Sequence, residues 1–312
     1  MWLCPHGRMP NKRGVFGMKY FNENVDQMDN TCVAFGDFDG VHCGHRAVID
    51  RLQNISKLGY TSVVVSFAFD ESCATEKKIL TTEEEKNYLL EKNGPEVMIS
   101  YKKDSGEQAF SVKRLIGEFL VGKLGAKVIV AGSNYENIGI LRECAVEFGY
   151  MLEECDTVYY GGEPITSDRI SAALTEGRLD EAKEMLGHPY LFISMVMHGK
   201  ARGRTVGMPT ANLSYKPYKL LPVYGVYGTL SDIDGNIVKG LTNIGKRPSD
   251  DNYDYISIET FLLDFAQDIY DKTITLEIHV HIRGVIKFNG LEEVKQQVDK
   301  DIISIKTFLD KY

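Results

Sequence analysis

Residues His198 to Leu213 read HGKARGRTVGMPTANL. Gly199, Gly203 and Gly207 let the backbone approach a ligand closely or adopt a positive φ. Lys200, Arg202 and Arg204 lie among them, so amides and cations together could cradle phosphates. The run lacks the terminal G-K-[ST] of a P-loop, and its spacing also fits a solvated basic hairpin. Pro209, Thr210 and Asn212 follow directly. A hydroxyl and a side-chain carbonyl are hard oxygen donors, suited to Mg²⁺ carrying nucleotide phosphates. The rival arrangement is a turn in which both side chains bond their own backbone. Further on, Glu259 lies in YISIETFLLDF. As a strand, this run places Glu259 with Ser257 and Phe261 on one face, and Ile258, Thr260 and Leu262 on the other. A carboxylate beside apolar neighbours is a candidate general base; an ordinary solvent-facing glutamate has the same spacing. Asp264 and Asp268 are further acids nearby, and Arg283 and Lys287 fit surface positions equally well.

A second constellation comes early. Residues 36–45 read GDFDGVHCGH. His42 and His45 bracket Gly44 after a short apolar run and at the mouth of a predicted helix. Helix amides and two imidazoles there could stabilise a pentacovalent phosphate centre. A capped strand–helix turn with surface histidines is the structural alternative. Zinc would need more ligands than this stretch offers.

Positioning these groups requires two kinds of architecture. From about residue 20 to 155 the chain alternates short apolar runs (Thr31–Phe35, TSVVVSFAF, EVMIS, AKVIVAG) with helical patterns. Among the latter, TTEEEKNYLLEKNG carries a threonine cap and acids in its first turn. Strand–helix alternation predicts an open parallel α/β domain with right-handed crossovers. The continuous run TSVVVSFAF suits a strand buried on both faces. Two short helices follow: SDRISAALTEG, capped by Thr166 or Ser167, and Leu179–Leu186 before Gly187. From Tyr190 the period changes to short extended runs separated by Gly, Pro, Asp and Asn. Asp234-Gly235 is a hairpin signal. Several short strands within this length predict a closed or nearly closed antiparallel barrel, followed by a terminal helix over Leu291–Leu309. The predicted domains are 14–187 and 188–312.

The bulk properties set limits. The 312 residues suffice for two cores, and 43% hydrophobic and 26% charged residues are globular values. A formal net charge of -8 disfavours a surface made to coat a phosphate backbone, so no nucleic-acid partner is expected. Six cysteines without a C-x-x-C pair read as reduced, buried hydrophobes. The opening MWLCPHGRMPNKRG has no long apolar core and does not read as a signal peptide. No apolar run reaches about 18 residues, so no membrane span is expected. The expected compartment is the cytoplasm.

The second half resembles the riboflavin kinase domain of bacterial bifunctional riboflavin kinase/FMN adenylyltransferases. The matching stretches are LGHPY, the Gly-rich run into GMPTANL, LPVYGVY, NIGKRPS, IETFLLDF and IRGVIKF, in the family's order over about residues 186 to 312. The resemblance implies a six-stranded antiparallel barrel with a terminal helix. It also implies that the Gly-rich segment binds ATP phosphates, that Thr210 and Asn212 help hold Mg²⁺–ATP, and that Glu259 deprotonates the terminal ribityl hydroxyl. Asn243 and Arg247 belong to a motif near the flavin and nucleotide site. Riboflavin, FMN and ATP are the implied small-molecule partners.

Residues 36–45 are similar to the H-x-G-H signature of α/β nucleotidylyltransferases, here the FMN adenylyltransferase half of the same family. That half would join ATP to FMN, releasing FAD and pyrophosphate. By resemblance His42 and His45 contact the ATP phosphates, with Gly44 between them, and Asp37, Phe38, Asp39 and Gly40 line the nucleotide entrance. The sequence departs from the family pattern in four places. Asp37 stands for asparagine. Phe67-Ala68-Phe69-Asp70-Glu71 replaces an F-x-P-H-P-like segment. GSNYENIG at 132–139 replaces a longer basic loop, with Asn134 in place of an acid. Ser167-Asp168-Arg169-Ile170-Ser171 keeps Arg169 but has Ser171 where a second arginine belongs. Losing cations near a polyphosphate weakens anion binding. Two expectations therefore stand for this half: a slow or specialised adenylyltransferase, or a domain kept for packing, sensing or regulation. A non-enzymatic flavin-binding regulator is the broader rival for the whole chain.

Overall fold

The computed structural model describes residues 17–71, 78–103, 111–198, 209–247, 255–288 and 290–309. The Gly-rich segment with Gly199, Lys200, Arg202, Gly203, Arg204 and Gly207 lies outside the described residues. Spatial proximity along the chain gives two compact units, Met1–Ser167 and Asp168–Tyr312.

The first unit is a six-stranded parallel sheet flanked by helices. Its strands are β1 (Lys19–Asn22), β2 (Thr31–Gly36), β3 (Thr61–Phe67), β4 (Val97–Tyr101), β5 (Ala126–Gly132) and β6 (Met151–Cys155), in the order β1-β4-β3-β2-β5-β6. Between them run α1 (Cys43–Ser56), α2 (Glu83–Lys92), α3 (Val112–Arg114) and α4 (Ile138–Phe148). The turn of α3 passes directly into a π-helical stretch, Leu115–Val121. Central β3 is buried from Ser62 to Phe67, as its unbroken apolar run requires when both faces are covered. Val33, Val63, Val65, Ile99 and Ile129 meet Leu115, Ile116, Phe119 and Leu120 in one core. The acids at the start of α2 sit at its positive end, and Thr82 and Glu85 close a reciprocal capping box. From β2 the chain adds β3 and β4 on one side, where β1 closes the edge, and β5 and β6 on the other. The reversal falls between β2 and β5, and the crevice at the carboxyl ends of such strands is where open parallel sheets take ligands. A small hairpin, β7 (Tyr159–Tyr160) and β8 (Glu163–Pro164), follows.

The second unit opens with α5 (Ser167–Thr175, its first residue in the first unit) and α6 (Leu179–Leu186), which ends at Gly187 in the left-handed conformation. Then come β9 (Tyr190–Met197), β10 (Thr210–Leu213), β11 (Gly225–Ile233), β12 (Asn236–Arg247), β13 (Tyr255–Leu262), β14 (Thr273–Gly284) and α7 (Leu291–Leu309). The strands close a barrel in the order β10-β13-β12-β11-β14-β9, as the strand pattern predicts. Asp234 and Gly235, at φ 52 and 89, make the tight turn from β11 to β12. That is the primed hairpin geometry their residue types favour. α7 lies on the outer face of the barrel, where Ile305 and Leu309 meet Val226, Leu230 and Leu241. Gly228 lets it approach: a Cβ there would sit 2.7 Å from Val280 Cγ1 and 3.4 Å from Ile305 Cγ1. Arg283 on β14 pairs with the buried Asp301 of α7 at 2.8 Å, and Gln297 donates to the same carboxylate at 2.9 Å. Arg283 is thus tied to α7 rather than being the plain surface charge that spacing equally allowed, whereas Lys287 is exposed.

Candidate functional site

Register builds the barrel site. Asn212 on β10 stands opposite Glu259 on β13, and Glu259 stands opposite Asn243 on β12. Directly opposed residues share a face, so the three side chains form one row across three adjacent strands. One step along, Thr210 lies opposite Phe261 and Phe261 opposite Leu241. Since Thr210 and Asn212 are two apart, they project to the same side. This is the outer side of the barrel, the one that carries α7. The alternate residues Ile258, Thr260 and Leu262 are buried. Inside, the Thr242 hydroxyl meets those of Thr229 at 2.8 Å and Thr260 at 2.9 Å, so the strands are pinned behind the row by satisfied polar groups. Arg247 ends β12 opposite Tyr255.

Thr210 also lines a cleft of about 430 Å³ with Pro209, Ala211, Phe265, Ile269 and Tyr270. That is the size and mixed character of a small-molecule site. The turn behind it is fixed. The Tyr270 amide donates to the Asp268 carboxylate at 3.1 Å, and the Asp271 amide donates to Val196 O at 2.9 Å. Asp268 therefore shapes the cleft wall, while Asp264 pairs with Lys306 of α7 at 3.8 Å.

In the first unit the loop after β2 leads to the histidines at the start of α1, at the reversal point of the sheet. Its backbone is bent hard: Phe38, Gly40 and Val41 have φ of 49, 80 and 41. The glycine accepts this freely; a buried phenylalanine and a β-branched valine do not. Asp39 holds the bend, accepting from the amides of Leu80 (3.0 Å) and Thr81 (2.9 Å). The Gly40 amide donates to Thr81 Oγ1 at 2.9 Å, and Ser167 Oγ donates to Asp39 O at 2.9 Å. The Asp39 carboxylate thus serves the loop after β3. His42 caps α1, its Nδ1 accepting from the His45 amide at 3.3 Å, which puts the ring proton of neutral His42 on Nε2. The His42 and His45 rings stack at 3.7 Å and 15°, and Phe38 meets His45 at 5.2 Å. Gly44 makes room: a Cβ would lie 3.0 Å from His42 Cε1. His45 Nδ1 is buried without a hydrogen-bond partner among the described residues. Burial, then the nearby His42 and Lys86, push the His45 imidazole well below the usual histidine range, so it is held neutral. Asp37 is exposed and pairs with Lys103 at 3.2 Å. Arg169 stands on α5, in the second unit.

Two residues of this region escaped the sequence reading. Lys86 is 3% exposed and its ammonium donates to Ser66 Oγ (3.0 Å), Phe67 O (3.2 Å) and the Glu83 carboxylate (2.9 Å). The signal was a lysine four residues before Leu90, inside the apolar stripe of a helix. Lys103 lies 4.1 Å over the Phe67 ring, a placement that only the parallel pairing of β3 and β4 creates.

Comparison with known proteins agrees with both architectures. A family model for riboflavin kinase matches residues 186–309, and one for FAD synthetase matches residues 25–169. The bifunctional riboflavin kinase/FMN adenylyltransferase of Listeria monocytogenes is 31% identical over 90% of this chain and 93% of its own. That of Bacillus subtilis is 31% identical over 88% and 92%, and that of Escherichia coli K12 30% identical over 89% and 92%. Among solved structures, the macrolide-efflux protein from Streptococcus pneumoniae superposes with a TM-score of 0.80 at 25% identity, over 92% of this chain and 98% of that one. Among the described residues no helix is long and apolar enough to cross a membrane. The chain belongs to the bifunctional riboflavin kinase/FMN adenylyltransferase family.

Proposed function

We propose that the chain is a riboflavin kinase that transfers the γ-phosphoryl group of ATP to the terminal ribityl hydroxyl of riboflavin, giving FMN and ADP. The observation that carries this reading is the row Asn212–Glu259–Asn243 beside Thr210. Glu259 takes the hydroxyl proton, and the two amides flank it with groups that donate and accept. ATP occupies the cleft beside Thr210, and its phosphates are bound by Gly199, Lys200, Arg202, Gly203 and Gly207 of the Gly-rich segment. Thr210 and Asn212 present two hard oxygen donors on one face, a set that fits Mg²⁺. Bound there, the ion supplies charge neutralisation to the phosphates. Asn243 and Arg247 serve the flavin and nucleotide side of the site. The kinase domain is assigned to residues 188–312.

Residues 14–187 form the FMN adenylyltransferase part, which joins the AMP portion of a second ATP to FMN and releases pyrophosphate. The His42–His45 stack at the mouth of α1 supports phosphate contact there. Asp37, Phe38, Asp39, Gly40 and Gly44 complete the proposed nucleotide environment of the first unit, with Asp39 and Gly40 acting by fixing the loop. A kinase with a regulatory first unit is the second reading, favoured by the acid Asp37 at the crevice mouth. Dependence on ATP supports a cytoplasmic location. Incubating the full chain with riboflavin and Mg²⁺–ATP, and resolving FMN from FAD, tests both activities. FMN and FAD together support the bifunctional enzyme; FMN without FAD supports the regulatory reading; neither product overturns the kinase.

A further inference from the structure

The Asp37–Lys103 pair takes no part in the loop-fixing contacts around the histidines. Asp37 follows β2 and Lys103 follows β4, and β3 lies between those strands. The Lys103 ammonium is 3.2 Å from the Asp37 carboxylate and 4.1 Å from the centre of the Phe67 ring at the end of β3. The bridge therefore crosses the carboxyl edge of three adjacent strands, beside the reversal point where a parallel sheet receives its ligand. Aromatic rings pave that edge: Phe35 meets Phe67 at 6.2 Å and Tyr135 at 5.7 Å, and Phe67 meets Tyr101 at 6.2 Å. The two side chains are 39% and 62% exposed. A pair so open to water adds little to stability and separates easily. While it is closed, the ammonium that would attract a phosphate is neutralised by a carboxylate that would repel one.

We propose that Asp37 and Lys103 form an ionic latch over the adenylyltransferase crevice, in which Lys103 exchanges the Asp37 carboxylate for a substrate phosphate. The inference rests on the reading of the first unit as an FMN adenylyltransferase. Lys103 contributes binding of the incoming anion, and Asp37 limits how tightly it is held. The cation–π contact with Phe67 keeps the ammonium at the edge of the sheet in both states. ATP and FMN present the same chemistry, a phosphate, so the assay must separate them.

The test is the rate of FAD formation by the full chain, titrating ATP at saturating FMN and FMN at saturating ATP. Asp37→Asn should lower KM for one of the two substrates by about threefold, because it removes the carboxylate that competes with the phosphate for Lys103. Lys103→Met should raise that same KM on the order of tenfold, and Lys103→Arg should stay within about twofold of wild type. Both shifts should shrink as ionic strength rises from about 0.05 to 0.5 M. Substrate identity follows from which titration responds. Unchanged KM values in Asp37→Asn and Lys103→Met, with FAD still made by wild type, overturn the latch. A raised KM in Asp37→Asn overturns it as well. A wild type that makes FMN but no FAD removes the adenylyltransferase reading, and the latch with it. A thermal melt of each variant that superposes on that of wild type verifies that the first unit is folded.

Discussion

The two candidate sites are held in opposite ways. In the barrel, Glu259 sits mid-strand, and its neighbours Asn212 and Asn243 are set by register on either side. No left-handed residue is needed, and the Thr229–Thr242–Thr260 hydroxyls fasten the strands from within. In the parallel-sheet unit, His42 and His45 depend on a loop with three left-handed residues, held by Asp39 to Leu80 and Thr81. Each non-glycine residue so bent costs about 1–3 kcal/mol, which the surrounding structure must offset. A site held by register tolerates the loss of one functional side chain without moving. A site held by a bent loop is linked to the stability of its unit.

That contrast can be broken by experiment. Replacing Glu259 with Gln should cut kcat for FMN formation by about 10²–10⁴-fold, the usual contribution of a positioned base. KM for ATP and thermal stability should stay near wild type, because the row is fixed by backbone pairing. Equal turnover in the variant would remove Glu259 as the base. Replacing His45 with Asn should lower FAD formation by about 10²–10³-fold and leave FMN formation intact. An equal loss of both products would show that the two sites do not act separately.

The smallest effect concerns pH. Folding lowers the His45 pKa, chiefly by burial, so the unfolded chain binds the proton more readily. The neutral ring's contribution is whole above the ordinary value of 6.5 and is lost as pH falls below it towards the lowered folded value. Urea midpoints of the wild type should therefore fall between about pH 7 and 5 more steeply than those of the His45→Asn variant. Parallel slopes would contradict a buried neutral imidazole.

Much of this was legible in the sequence because it depends on local period and local chemistry. The alternation in YISIETFLLDF separates Glu259 and Phe261 from Ile258, Thr260 and Leu262, and the structure buries the second set. Asp234-Gly235 forms the hairpin its residues favour, and Thr82 caps α2. The edge strands β1 and β6 were not read, since KYFN and MLEEC are half exposed and carry no continuous apolar run. The π-helical turn likewise leaves the hydrophobic spacing of VKRLIGEFLVGKL unchanged. Asp37–Lys103 and Lys86–Ser66 are products of strand order. Pairings across 66 and 20 residues have no local signature.

The barrel also has a hem. β10 has four residues, and among the described residues it meets β9 only at Asn212 opposite Met197 and Leu213 opposite Val196. β11 and β12, by contrast, pair continuously from Gly225 opposite Ile244 to Ile233 opposite Asn236. Local opening follows such weak stitching, so amide hydrogens of β10 should exchange with deuterium well before those of β11 and β12. The strand that carries Thr210 and Asn212 is then the one whose protection should rise most when Mg²⁺–ATP is added. Ligand binding would in that sense finish the folding of the barrel.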